Sequence, residues 1–240
     1  MQGIRFCLLS TALLLAGCAG AHDPKDPLEP LNRGIYRFND AVDKAVIKPV
    51  AREYTAVMPT AGRIMVSNFF SNLDDVIVTV NDLLQFKLVQ GFSDGMRFLV
   101  NSTIGVFGLI DVASTGGLKK HDEDFGQTLG KWGVGNGPYL VLPILGPSTF
   151  RDSAGLYADG FWSPMYQLRD MRTRNQSYMA KGISKRAGLL DEEKVLDTAM
   201  IDRYTFMRDA YLQYRINQVY DGNPPRRRYE DEDDGNDPRP

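Results

Sequence analysis

Cys18 is the first residue along the chain whose type and setting point to a chemistry. It follows Leu15-Ala16-Gly17, which close an apolar run from Phe6 that Arg5 precedes. The run has about the length of a secretory h-region and is too short to cross a bilayer. Small residues at Ala16 and Gly17 fit the narrow cleft of a signal peptidase. A cysteine after them can take a diacylglycerol through a thioether, and its amine, freed by cleavage, can take a further acyl chain. Two or more chains on one residue hold a protein to a membrane where one is marginal, since each buried methylene contributes about 0.8 kcal/mol. An ordinary signal peptide with an incidental cysteine is the alternative. Ala19 follows, and by the sorting rule of enteric-type bacteria a residue other than Asp there implies delivery to the outer membrane.

The remaining reactive patterns are weaker. Gly91-Phe92-Ser93-Asp94-Gly95 matches a nucleophile elbow, a motif that needs a strand before it and a helix after it within a parallel sheet. Here the preceding segment reads helical and no strand–helix alternation occurs. The bland reading makes Gly91 a helix stop and Ser93 an N-cap. His121, beside Asp122, Glu123 and Asp124, is the one candidate base, and a single histidine on a polar loop is more often solvated than metal-bound. Gly126-Gln127-Thr128-Leu129-Gly130-Lys131 fails as a phosphate loop. Only three residues separate its glycines, and Trp132 stands where a hydroxyl would bind magnesium. No catalytic residue, metal site or cofactor is assigned.

Composition bounds the rest. Of 240 residues, 28 are basic and 30 acidic, so the net charge of −2 argues against nucleic acid as a partner. Cys7 falls in the segment expected to be removed, which leaves Cys18 alone and excludes an internal disulfide. Beyond the h-region no apolar stretch is long enough for a transmembrane helix.

The elements that position these residues read as short helices. Asp26-Pro27-Leu28-Glu29 looks like a helix start, with Asp26 as N-cap and Glu29 closing a capping box. Leu28, Leu31, Ile35, Phe38, Val42 and Val46 recur at three and four residues, while Asn32, Arg33, Asp40 and Lys44 fall off that stripe. Pro49 and Pro59 end successive helices. Ala61 to Phe70 forms a third. The β-branched run Val76 to Val80 is read as a further helix capped by Asp74, and Ser93 or Asp94 caps the next. From Gly126, the residues Gly130, Gly133, Gly135, Gly137, Pro138, Pro143, Gly146 and Pro147 cut the chain into short pieces. Ser148 can cap a helix through Tyr157, Arg169 to Arg186 reads as a basic helix, and Ile201 to Tyr220 as the last one. Residues 1–17 are therefore a signal peptide, 18–25 a lipidated spacer, 26–221 one helical domain, and 222–240 a charged tail.

Helices with broad apolar faces bury them in a core or in the acyl region of a leaflet. A core is the commoner use. Two features favour the leaflet: the short spacer from Cys18 keeps the body against the membrane, and the apolar stretches are repeatedly broken by Gly and Pro.

Specific residues then carry a resemblance. Asp26-Pro27-Leu28-Glu29-Pro30-Leu31-Asn32-Arg33 with Tyr36, Phe38 and Asn39 resembles the opening of the VacJ-like family, also called MlaA. Asn68-Phe69, Asn72-Leu73, Asn101-Ser102-Thr103, Gly105 and Asp111 match its middle. Asp124-Phe125-Gly126-Gln127-Thr128-Leu129-Gly130, continuing through Trp132-Gly133-Val134-Gly135 and Gly137-Pro138-Tyr139 to Gly146-Pro147-Ser148-Thr149-Phe150-Arg151-Asp152, is its most specific stretch. The resemblance implies an all-α, ring-like assembly of amphipathic helices lying in one membrane leaflet around an amphipathic channel. It implies an outer-membrane lipoprotein that removes mislocalised phospholipids from the outer leaflet and passes them to a soluble periplasmic lipid carrier. Trimeric outer-membrane porins are the other implied partner. Gly126, Gly130, Gly133, Gly135, Gly137, Pro138 and Pro143 are candidates for the channel wall, because close backbone packing and tight bends call for Gly and Pro. A porin-docking lipoprotein without transport activity and a lipid hydrolase using Ser93 are the rival readings.

Overall fold

Helix α1 (Glu29–Val42) does not start as its sequence suggests. Leu28 stands at the N-cap with no side-chain bond, and the Asp26 side chain is buried, held by Asn32 Nδ2 at 2.8 Å and by the Tyr204 hydroxyl. Glu29 pairs with Arg33 instead of closing a capping box. The computed structural model describes residues 26–196 and 202–225. The expected signal peptide, Cys18, its spacer and the tail beyond residue 225 lie outside the described residues.

Pro49 bends the expected boundary. α1 passes through a π turn, Asp43–Ile47, into α2 (Lys48–Val57), which holds Pro49 in its first turn. The Lys48 N–H reaches back to the Asp43 carbonyl, five residues away, so the chain continues despite the ring that would clash with a regular turn. Pro59 does break the chain, and α3 (Thr60–Leu84) follows it as one helix of 25 residues. It absorbs both helices expected over residues 61–84. Asp74 sits within it and pairs with Lys181 at 2.5 Å instead of capping. α4 (Leu88–Thr103) likewise runs through Gly91, Ser93 and Asp94 without stopping or starting there.

Short α5 (Val112–Thr115) is capped by Asp111, and α6 (Phe125–Lys131) by Asp124. The glycine-rich segment then forms a two-stranded antiparallel hairpin, β1 (Tyr139–Leu142) and β2 (Gly146–Thr149), the strand content that an all-helical reading left out. Tyr139 pairs with Thr149 and Leu142 with Gly146. Thr149, not Ser148, caps α7 (Phe150–Trp162). α8 (Met171–Gly188), α9 (Leu190–Leu196) and α10 (Arg203–Val219) complete the described chain, with Asp170 and Asp202 capping α8 and α10.

α3 lies along α4, α6 on α7, and α2 on α8, while the hairpin is seated against α1 and α10. The apolar core is small. Tyr139, Val141 and Tyr204 form its centre, with Ile35, Tyr36, Tyr211 and Leu212 packed around them. The tyrosine rings meet edge to face at 5.7–6.3 Å, the arrangement their quadrupoles prefer.

Candidate functional site: an apolar exterior over a polar interior

Burial in this fold runs opposite to the sequence's apolar stripes. On α1 and the π turn that continues it, Leu31, Phe38 and Val46 are exposed, whereas Asn32, off the stripe, is 1 % exposed. On α3 the buried positions are Phe70, Asn72, Asp75, Val78, Asn81 and Asp82, and on α4 they are Gly91, Asp94, Arg97 and Asn101. Each set recurs at helical spacing, so the two helices present polar stripes to each other. Gly91 permits the approach, since a Cβ there would lie 3.1 Å from Asp82 Cβ.

The buried polar groups of α4 are knitted to α5 and the residues that flank it, and Arg97 faces Asp75 of α3 at 3.7 Å. Arg97 bonds both oxygens of Asp111 at 3.1–3.2 Å, Ser114 Oγ at 2.9 Å and the Leu118 carbonyl at 2.5 Å. Asn101 donates to Asp111 at 3.0 Å and accepts from the Ala113 N–H at 2.9 Å. Ser114, Asn101 and Arg97 overcome the effect of burial on Asp111 and hold its carboxyl down at about 2. Further along, Asp82 accepts from Gln90 at 2.8 Å and Asp94 meets His121 Nδ1 at 2.7 Å. The other oxygen of each carboxyl is buried without a hydrogen-bond partner among the described residues. Burial and the nearby Asp94 and Glu123 carboxyls push the Asp82 carboxyl well above its ordinary range.

α6, α7 and α10 meet over an ionic junction. Arg215 forks onto Asp124 at 2.6 and 2.8 Å and onto Asp152 at 2.9 and 3.0 Å, and Arg151 also reaches Asp152. Burial alone would raise the Asp152 carboxyl, but Arg215 and Arg151 hold it below its usual range. Asp159 lacks such a cation. Burial pushes it up to about 6, although the Phe125 N–H and Asn81 both donate to it.

The hairpin is fixed to α1 by two asparagines. Asn32 donates to the Tyr139 carbonyl and accepts from the Val141 N–H, both at 2.9 Å. Asn39 donates to the Leu142 carbonyl at 2.9 Å and accepts from the Ile144 N–H at 2.7 Å. The hairpin tip is apolar and exposed at Ile144 and Leu145, with Ile144 at φ +66°, a conformation costly for a β-branched residue. Beside it lies an open apolar groove of about 510 Å³ lined by Pro30, Leu31, Gly34, Ile35, Phe38 and Pro143. Phe86 (84 % exposed), Val89 (88 %), Phe92 and Phe107 on or beside α4 are exposed as well. Large apolar side chains left exposed in such number suit a lipid or protein contact face.

The proposed channel-wall residues separate into groups. Gly126 and Gly130 lie in α6 at its crossings: a Cβ on Gly126 would meet Asp152 Oδ1 at 2.6 Å, and one on Gly130 would meet Val219 Cγ2 at 2.8 Å. Gly133 and Gly137 have φ of +91° and +66°, which only glycine adopts freely, and Gly135 has open space around it. The Pro138 carbonyl accepts from the Phe150 N–H, and Pro143 lines the groove. Ser93 lies inside α4, so the strand–turn–helix of a nucleophile elbow does not exist there. Among the described residues no group of three His, Cys, Asp or Glu could hold a metal ion, and no helix is long and apolar enough to cross a membrane. Reading the sequence missed the polar stripe. Its signal was the helical spacing of Asp75, Asn81 and Asp82 and of Asp94, Arg97 and Asn101.

Comparison with known proteins agrees with this geometry. A family model described as MlaA lipoprotein matches residues 24–218. The chain is 38 % identical over 208 residues to the intermembrane phospholipid transport system lipoprotein MlaA of Escherichia coli, covering 83 % of this chain and 82 % of the relative. It is 31 % identical to the protein of the same name in Haemophilus influenzae, over 87 % of this chain and 88 % of the relative. A structure solved in work described as "Structural basis for maintenance of bacterial outer membrane lipid asymmetry" superposes with a TM-score of 0.72 at 35 % identity, covering 82 % of this chain and 99 % of that one. The chain belongs to the MlaA lipoprotein family.

Proposed function

We propose that this protein removes phospholipids misplaced in the outer leaflet of the outer membrane and passes them to a soluble periplasmic carrier. In this reading residues 1–17 are cleaved, Cys18 is acylated, and the body, residues 26–221, sits in the periplasmic leaflet beside trimeric porins. Its helices ring an amphipathic channel. The observation that carries the reading is the inverted burial: apolar stripes face out while Asp, Asn and Arg side chains face in. Moving a phospholipid between leaflets takes a charged head through hydrocarbon, and a buried unpaired charge costs many kcal/mol. A polar passage substitutes for head-group hydration while the acyl chains stay in lipid. Lowering that barrier needs no nucleophile and no cofactor, so the protein acts without being an enzyme. The relatives' name and the outer-membrane lipid asymmetry of the structural neighbour support this role.

Within that reading Gly133, Gly135, Gly137, Pro138 and Pro143 belong to the wall where it bends, and Gly126 and Gly130 to its backing. Gly135 is the informative position, because a side chain there meets nothing within 4 Å. The test is lipid exchange in asymmetric vesicles, with and without the carrier, for the acylated protein and a Gly135→Leu variant. Accelerated exchange that the variant slows is expected. No acceleration by the wild type would leave a porin-docking scaffold as the better description.

A further inference from the structure

The junction of α2 and α3 holds an unassigned polar pocket away from the hairpin groove. It has a volume of about 200 Å³ and is lined by Lys48, Arg52, Thr55 and Arg63, with Ala187, Leu190, Asp191 and Glu193 across from them. At about 30 Å³ per water it has room for a phosphate group and a few waters. Its charges are unevenly satisfied. Glu193 is held by Lys48 at 3.0 Å and by Arg186 at 2.7 Å, and Arg186 also forks onto Asp43. Asp191 has a partner of its own. The guanidinium of Arg52 has no carboxylate partner among the described residues. Arg63 donates through Nη2 only to the Thr60 hydroxyl, at 3.0 Å, and its Nε is buried with no acceptor.

A buried guanidinium N–H without an acceptor is expensive, and a bound anion is the simplest way to supply one. The surroundings favour an anion further. Arg63 lies in the first turn of α3, a helix of 25 residues whose N-cap is Pro59, which offers no side-chain acceptor. The positive end of that helix is therefore uncovered. Guanidinium forks match the tetrahedral oxygens of phosphate better than an ammonium does.

We propose that Arg52 and Arg63, with Lys48 at the edge, bind a phosphate group in this pocket. The phosphate belongs to a phospholipid head group or to free inorganic phosphate. The proposal rests on the phospholipid reading only for the first of these sources.

The experiment titrates the purified full chain in neutral detergent, by calorimetry, with inorganic phosphate and separately with monomeric dihexanoyl-phosphatidylglycerol. Saturable one-site binding is expected, weakened roughly ten- to a hundredfold by Arg52→Gln or Arg63→Gln, the loss of a charge-assisted hydrogen bond. Arg172→Gln, on the exposed face of α8, should bind as the wild type does. Hydrogen exchange on the wild type gives a readout that needs no variant: ligand should slow the amides of residues 60–63. Binding of phosphate but not lipid assigns the free anion as the source, and lipid binding that phosphate displaces assigns the head group. Absence of saturable binding by both, or binding that both arginine variants leave unchanged, overturns the proposal. A chain that binds phosphate yet fails to exchange lipid keeps the pocket and loses the transport reading.

Discussion

Replacing Asn32 by alanine should release the hairpin from α1. The side chain makes three hydrogen bonds: to Asp26 at 2.8 Å, to the Tyr139 carbonyl at 2.9 Å and from the Val141 N–H at 2.9 Å. Asn32, Asp26, Tyr139 and Val141 are all buried, so water does not take over the vacated sites without the structure opening. A buried group left unpaired costs about 1–3 kcal/mol. Allowing for relaxation, the loss should be about 3–5 kcal/mol, a large part of the roughly 5–15 kcal/mol that holds a typical domain together. Asn39→Ala is the internal control. It also frees a carbonyl and an N–H of the hairpin, but Ile144 is exposed and water can bond its amide, so about 1 kcal/mol should go. Hydrogen exchange by mass spectrometry in detergent micelles reads the difference. Tyr139–Thr149 amides should lose more than about a hundredfold of protection in Asn32→Ala, and about fivefold in Asn39→Ala. Equal effects, or unchanged hairpin exchange in Asn32→Ala, would refute the claim that buried polar bonds seat this element.

Two further outcomes follow from packing and titration. A Cβ at Gly155 would run into the backbone nitrogen of Gly126, and one at Gly160 meets nothing within 4 Å. Gly155→Ala should therefore force α6 from α7 and cost about 1–3 kcal/mol or more, whereas Gly160→Ala should stabilise α7 by about 0.5–1 kcal/mol, as thermal unfolding midpoints will register. The Asp159 carboxyl, raised by burial to about 6, keeps its proton in the folded chain where the unfolded chain has lost it. The folded state thus binds more protons between about pH 4 and pH 6, and its stability falls as pH rises through that window, by roughly 3 kcal/mol in all. Asp111, held down at about 2, works in the opposite sense and withdraws stability as pH drops below about 4. Unfolding midpoints from pH 4 to pH 7 should decline for the wild type, where Asp159 and the raised Asp82 act in the same sense, and decline less steeply for Asp159→Asn; parallel curves would remove Asp159 as a cause.

Much of this was legible because local chemistry decided it. Pro59 ends a helix for the reason expected, and Gly133 and Gly137 take backbone conformations that only glycine adopts freely. Illegible features were those where tertiary context won. Val76–Val80 is helical as read, but Asp74, a good cap, does not start that helix, because packing along α4 carries one helix through both. Tyr139–Leu142 is apolar enough for any element, and only its bonds to Asn32 and its pairing with Gly146–Thr149 make it a strand. Periodicity shows that a helix has two faces without saying which one turns inward. The short spacer and the broken apolar stretches favour an outward apolar face, and exposed Leu31 and Phe38 over buried Asn32 agree with that, as do buried Asp94 and Arg97 on α4.

An interior of asparagines, carboxyls and guanidiniums also changes how the protein should respond to temperature. Ordinary unfolding raises heat capacity because it wets hydrocarbon, at about +0.45 cal/mol/K per Å² of apolar surface, while wetting polar surface lowers it by about 0.26. Here Asn32, Asn81, Asp94 and Arg97 are the groups laid bare. The polar contribution then offsets part of the apolar one, the stability curve broadens, and neither cooling nor warming should melt the chain as steeply as a grease-filled domain of its length.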